Sequence, residues 1–216
     1  MPDILIYLAT ALGAYLLGSI PFGFLVAKAK GIDIRSAGSG NIGATNAMRV
    51  LGKPAGIFVL LMDALKGYGA VWLCSQILSH HFTSRENIAT VLQIDPILAG
   101  IGAVLGHNYT CWLKFKGGKG IATTAGVYLA LAPWALLIGL VVFIVAVAAT
   151  RYVSVGSIAA AIALPVTVWI MAPSNLFLCI VTTLLGALAI YKHKGNLQRL
   201  AAGTENRLGQ KKKDVK

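Results

Sequence analysis

Charge is what this chain has least of. Only 12% of its 216 residues are Asp, Glu, Lys or Arg, and seven of these are acidic. A soluble domain carries about 25% charged residues, so a water-facing globular fold is excluded. Cysteine is also scarce: Cys74, Cys111 and Cys179 stand in separate apolar stretches with no metal-ligand spacing. They read as small core residues, which leaves no disulfide framework and no expected metal site or cofactor. A secretory leader is missing too. No Lys or Arg precedes the first apolar stretch, Asp3 does, and Lys28 and Lys30 follow it. That order reverses a leader's basic start, so the stretch is expected to remain as a helix with its N-terminus outside.

What the chain does have is apolar length. It is 57% hydrophobic with a mean hydropathy of +0.76. The long runs are Ile4 to Ala27, Ile57 to Met62 continuing through Tyr68 to Ser79, Ile94 to Leu113, Ile121 to Thr150, Tyr152 to Ala172 and Leu176 to Tyr191. Since a span needs about 20 apolar residues, the expectation is an all-α polytopic integral membrane protein. All the Lys and Arg except Lys66 and Arg85 fall in 28–53, in 114–119, at Arg151 or in the tail from Lys192. If those regions are cytoplasmic, the outer turns near 80–93, Pro133 and 172–175 are almost free of cations. Positive-inside bias then gives an odd number of crossings, N-terminus outside and C-terminus cytoplasmic.

Seven crossings fit. The run 121–150 would be roughly 45 Å as one helix, and Pro133 interrupts it. Two short helices meeting at Ala132-Pro133 are therefore expected, the first of them re-entrant or tilted. The whole chain, 1–216, reads as one transmembrane domain with a basic tail from about 193. The net charge of +12 and the run Lys211 to Lys213 come with no recognition helix and no stacking platform, so nucleic acid is not an expected partner. Anionic lipid is, at about 1 kcal/mol per cation near the surface.

Polar, glycine-rich sequence interrupts the apolar background at a few places. Gly38-Ser-Gly-Asn-Ile-Gly-Ala-Thr-Asn46 follows the first apolar run, with Arg49 just beyond it. Its glycines free the backbone to turn N–H groups toward an anion, which suggests a phosphorylated ligand. Lys116-Gly-Gly-Lys-Gly120 opens a helical segment and is either a phosphate cradle or a basic membrane-edge turn; it lacks the Walker A spacing. His107 reads as a helix-helix hydrogen-bonding group or a catalyst. Asp63 and Lys66, three apart on one helix face, can pair as structural support or as the wall of a polar site. Arg151 to Ser157 and the tail from Tyr191 through Glu205 complete the polar clusters, which the charge pattern puts on one face.

Together these residues are recognisable. The run 38–46 with Arg49, Gly106-His-Asn through Gly117-Gly-Lys-Gly-Ile-Ala-Thr123, Arg151-Tyr-Val-Ser154, and His193 to Asn196 with Gly203-Thr-Glu205 closely resemble the bacterial acyl-phosphate:glycerol-3-phosphate acyltransferases, the PlsY family. The resemblance covers essentially the whole chain. It implies a seven-helix enzyme of the bacterial inner membrane, with a cytoplasmic active site, that makes lysophosphatidic acid in the first acylation step of phospholipid synthesis. One departure is Lys194-Gly195, where the family usually has Arg followed by a variable residue; Lys does not replace Arg in bidentate phosphate binding. The His with an Asp five positions on, used by thioester-dependent acyltransferases, is absent: Arg85, Glu86, Trp112 and Gln198 stand five after the four histidines.

By that resemblance, Ser39, Arg49, Lys119, His193, Asn196 and Glu205 are expected to be catalytic. Gly40, Asn41, Thr45, Asn46, His107, Gly117, Gly118, Gly120 and Ser154 are expected to bind substrate. The Gly117–Gly120 loop and Lys119, with Ser39 and Arg49, would hold the phosphate of glycerol 3-phosphate; Thr45, Ser154 and Asn196 would serve the acyl-phosphate head. The 1-hydroxyl would attack the acyl carbonyl directly, its proton passing to His193, Glu205 or the donor's phosphate. The expected partners are these two substrates and the bilayer, and the expected state is a monomer. The competing class is a small transporter of an anionic solute, which would also use glycine-broken helices.

Overall fold

The computed structural model describes residues 2–81 and 88–209, and every regular element among them is helical. Part of the expected outer turn at 80–93, with Arg85, lies outside the described residues, as does the lysine run 211–213. The helices fall into two compact units, Met1–Pro133 and Trp134–Lys216.

The first unit begins with α1 (Pro2–Ser19) and α2 (Phe22–Ala29). The expected first run is thus broken at Ile20-Pro21, because Pro21 has no N–H to continue the ladder and crowds the residue before it. An irregular segment leads to α3 (Ala44–Leu51), and Gly52, at φ +95°, turns the chain into α4 (Lys53–His81). This helix is 29 residues long, about 43 Å. Asp63 and Lys66 do not interrupt it, since a charged pair three apart satisfies itself without bending the backbone. Next comes α5 (Ile88–Asn108), which ends five residues before the expected Leu113; a single 3₁₀ turn, Cys111–Leu113, follows. There Thr110 Oγ1 donates to Ser19 O at 2.6 Å and holds the chain out of helix. The unit closes with α6 (Ile121–Leu131).

Packing centres on α4, with α3 and α6 laid along it and α5 against α1. Contact between α4 and α6 is at backbone distance: a Cβ on Gly126 would strike Ala64 O, and one on Gly67 would strike Thr123 O. Small residues at such crossings let helices gain dispersion contact where lipid supplies no hydrophobic drive.

In the second unit α7 (Pro133–Thr150, its first residue belonging to the first unit) is followed by α8 (Val153–Met171), α9 (Leu176–Lys192) and α10 (Lys194–Ala201). The expected break at Ala132-Pro133 is present, between α6 and α7. Between α9 and α10 the axis bends by 50° at His193. Large apolar side chains such as Leu8, Leu12, Val145 and Ile170 are about 60% exposed or more, as faces turned to lipid must be.

Four helical stretches among the described residues are long and apolar enough to cross a membrane, five if α9 and α10 count as one. At 11 residues, α6 is about 16 Å long, half of the roughly 30 Å of a hydrocarbon core. All three cysteines are free thiols, as expected.

Replacing Gly126 by Leu should force α6 off α4 and lower detergent-solubilised stability by about 1–3 kcal/mol. Gly13→Ala, at a position with open space around it, should leave the thermal midpoint unchanged or slightly raised; equal effects from the two would refute the close-packing account.

Candidate active site

Two irregular loops in the first unit carry most of the expected residues, and one apolar cluster anchors both. Ile34 and Ile42 of the first loop and Leu113 of the second pack with Ala27, Ala47 and Val59. Burying each isoleucine contributes about 1.5–3 kcal/mol, enough to fix loops that have no regular hydrogen bonding.

Asn46 organises the first loop from inside. Its Nδ2 lies 2.8 Å from Asn41 O, 3.0 Å from Ala37 O and 3.3 Å from Ile34 O, while its Oδ1 accepts from Ser39 N at 2.8 Å. Asn41 Oδ1 in turn accepts from Gly43 N at 2.8 Å. Both amides, expected to bind substrate, thus serve the loop's own backbone; a buried carbonyl without a donor costs about 1–3 kcal/mol. Gly38 and Gly40 take φ of +62° and +71°, and a side chain on Gly38 would occupy the place of Asn46 Oδ1.

Ser39 and Thr45 face outward, and Arg49 stands one turn after Thr45 on α3. At the rim Arg35 pairs with Asp33 at 2.7 Å and stacks 5.0 Å from the Phe24 ring. Side-chain and backbone hydrogen bonds from Arg35 pull the Asp33 carboxyl down to about 2. That pair braces the turn behind Gly40.

The second loop lies against the end of α5. Gly117 N donates to Asn108 O at 3.3 Å and Gly118 N to His107 O at 3.0 Å. Side chains at Gly117 and Gly118 would collide with the His107 carbonyl and with His107 Nε2 respectively, and Gly120, at φ +80°, faces the Asn108 amide. His107 is therefore placed behind the loop, 4% exposed, with Nδ1 3.5 Å from Asp63 Oδ1. Lys119, half-buried, lies in this loop just before α6.

Both loops end alike. Gly43 caps α3 and Gly120 caps α6, and neither helix has a side-chain cap. An uncapped helix start presents several N–H groups and the positive end of the dipole, which is an anion site.

The second unit holds the rest. Glu205, 7% exposed, accepts from Asn196 Nδ2 at 2.7 Å, Ser154 Oγ at 3.2 Å and Arg199 Nε at 2.7 Å. His193, at the α9–α10 bend, sets Nδ1 2.7 Å from Ala189 O, which leaves the acceptor lone pair of a neutral ring on Nε2. The segment carrying Glu205 is clasped to the start of α8: Leu208 N donates to Arg151 O at 2.7 Å, Arg151 Nη2 to Leu208 O at 2.9 Å, and Arg207 Nε to Tyr152 Oη at 2.9 Å. Lys194, the departure from the family pattern, turns to Tyr191 instead, 4.8 Å over its ring.

Side chains not among the expected site residues also take part, Asp63 beside His107 and Arg199 on Glu205 among them, and the Asn108 amide lies against Gly120. A charge inside an apolar run signalled Asp63. Asn108 stood in the quoted Gly106-His-Asn motif without being assigned a role, and Arg199 carried no signal of its own beyond lying six residues before Glu205.

The helical apolar architecture, with four helical stretches among the described residues apolar and long enough to cross a membrane, defines a polytopic membrane protein, and its two glycine-opened helix starts have the form that suits anions. The chain belongs to the glycerol-3-phosphate acyltransferase family, whose profile matches residues 8–203. The glycerol-3-phosphate acyltransferase of Desulforamulus reducens is 46% identical over 202 residues, 93% of this chain and 94% of that one. The Clostridioides difficile enzyme of that name is 44% identical over 215 residues, 97% and 99% of the two chains. Among solved structures, the glycerol 3-phosphate form of PlsY (YgiH), an integral membrane glycerol 3-phosphate acyltransferase, superposes with a TM-score of 0.82 at 39% identity, covering 94% of this chain and 96% of that one. Its lysophosphatidic acid form gives 0.80 at 38% identity, with 94% and 95% covered.

Asn46→Asp keeps an acceptor for Ser39 N but removes every donor to the loop carbonyls. It should reduce activity by at least about tenfold, with a stability loss of about 1–3 kcal/mol; wild-type kinetics would show that the loop does not depend on Asn46.

Proposed function

We propose that this chain transfers an acyl group from acyl phosphate to the 1-hydroxyl of glycerol 3-phosphate, releasing lysophosphatidic acid and inorganic phosphate. The observation that carries this reading is the pair of glycine-capped helix starts, α3 and α6, in one unit. Each is suited to a phosphate, and family membership supplies the acceptor. The Gly117–Gly120 loop with Lys119 takes the phosphate of glycerol 3-phosphate, and Ser39 and Arg49 complete its anion site. Thr45, on the first turn of α3, serves the head of the acyl donor. Ser154 and Asn196 are assigned to that head by family pattern.

The acyl phosphate is a mixed anhydride with a good leaving group, so no acyl-enzyme is needed. The 1-hydroxyl oxygen bonds to the acyl carbon, the bond from that carbon to the phosphate oxygen breaks, and the hydroxyl proton leaves on the departing phosphate. Glu205 has both oxygens committed to three donors, which suits an anchor of its cluster better than a base. Holding the reactants in line can contribute roughly 7–11 kcal/mol. The protein works as a monomer that crosses the bacterial inner membrane seven times, with its site on the cytoplasmic side.

Purified protein given acyl phosphate and labelled glycerol 3-phosphate, without acyl carrier protein or coenzyme A, should form lysophosphatidic acid and phosphate; no product in any of several detergents would refute the reading. Lys119→Ala removes a charge-assisted contact and should raise the apparent KM for glycerol 3-phosphate about 10- to 100-fold, with little change for the acyl donor. An unchanged KM would refute that placement. For topology, an impermeant maleimide on intact cells should label a cysteine at Ala132 and spare one at Lys194, and the reverse pattern would invert the orientation.

A further inference from the structure

Asp63 and Lys66 form a fully buried ion pair, 2.8 Å apart, with side chains 2% and 1% exposed. A buried pair is a poor source of stability, because desolvating two charges offsets their attraction, and apolar replacements are often neutral or stabilising. Its contacts point to another role.

Lys66 Nζ also donates to Ile20 O at 2.8 Å, the carbonyl in the break between α1 and α2 that Phe22 N also reaches at 3.2 Å, and lies 5.7 Å from the Phe22 ring at the start of α2. One residue on, Gly23 backs directly onto Ile42 O in the first loop. On the other side, Asp63 Oδ1 faces His107 Nδ1 at 3.5 Å. The far edge of that ring sits where a Gly118 side chain would be, and the His107 carbonyl receives the Gly118 N–H. A continuous path therefore runs from the first loop through α2, Lys66, Asp63 and His107 to the second loop.

We infer that Asp63 and Lys66 are positioning residues, a strut that sets the spacing of the two anion loops for glycerol 3-phosphate. The inference rests on the proposed assignment of that substrate's phosphate to the second loop. The pair touches neither substrate and acts through α2 and His107. A rigid link suits this task because a misplacement of about 1 Å can cost on the order of 100-fold in rate.

The test removes both charges at once with little change in volume, in the Asp63→Asn/Lys66→Met double variant, so that neither charge is left buried alone. Its thermal midpoint should stay within about 3 °C of the parent, while the apparent KM for glycerol 3-phosphate rises about tenfold or more and that for acyl phosphate changes little. A pair that only supports the fold would lower the midpoint and leave both KM values alone, which would overturn the inference. Should the double variant not fold, His107→Gln breaks the same path without touching the ion pair and should give the same selective rise; an unchanged KM overturns the inference. Adding His107→Gln to a folded double variant should give no further rise, since both act through one path, and full additivity counts against it. An unaltered KM in Lys119→Ala would overturn the loop assignment, and this inference falls with it. A raised KM there beside a silent double variant overturns the strut alone.

Discussion

A chain surrounded by lipid has no water with which to satisfy a backbone group that leaves its helix. Several interruptions described here are met from within the protein. The break at Ile20-Pro21 is met by Lys66, and Ser19 O by Thr110. The first loop's carbonyls are met by the Asn46 amide, and Ala189 O at the α9–α10 bend by His193. Polar side chains otherwise expensive in an apolar chain are retained where the backbone turns away from helix.

At α3 and α6 the cap residue itself is a glycine, whereas α2, α8 and α10, which also lack a side-chain cap, have Pro21, Tyr152 and His193 there. Neither α3 nor α6 has a side-chain cap, although Ser, Thr, Asp or Asn at that place would stabilise a helix by about 1 kcal/mol. A capping oxygen would occupy the N–H groups that a phosphate needs. Under the proposed function, local stability is exchanged for ligand binding, and both helices are held by packing against α4.

The second unit uses a different device. Glu205 gathers a hydroxyl, an amide and a guanidinium from α8 and α10, and the following residues fasten to Arg151 and Tyr152. Arg199 keeps the carboxylate from being an isolated charge. Because Lys194 is turned to Tyr191 rather than into this cluster, the family's usual Arg at that position is not required for the cluster to close.

Much of this was legible in the sequence. Apolar runs and cation positions marked the helical membrane architecture, Pro133 marked a break, and the polar loops carried the family's residues in order. These are local properties: hydropathy, a missing N–H and the φ freedom of glycine act wherever the residue sits. The early end of α5 and the placing of His107 behind the second loop were not legible, because each is decided by a partner distant in sequence, Ser19 and Asp63 respectively; the break at Ile20-Pro21 has a local cause in Pro21, and Asn41 and Asn46 turn inward to partners within the same loop. Ser19 meets Thr110 across 91 positions, and Lys66 meets Ile20 across 46. The sequence by itself determined that the chain is helical, membrane-embedded and a member of its acyltransferase family. Only the tertiary structure decided which polar residues brace the loops and which face outward, because a side chain's hydrogen bonds go to whatever the packing brings near.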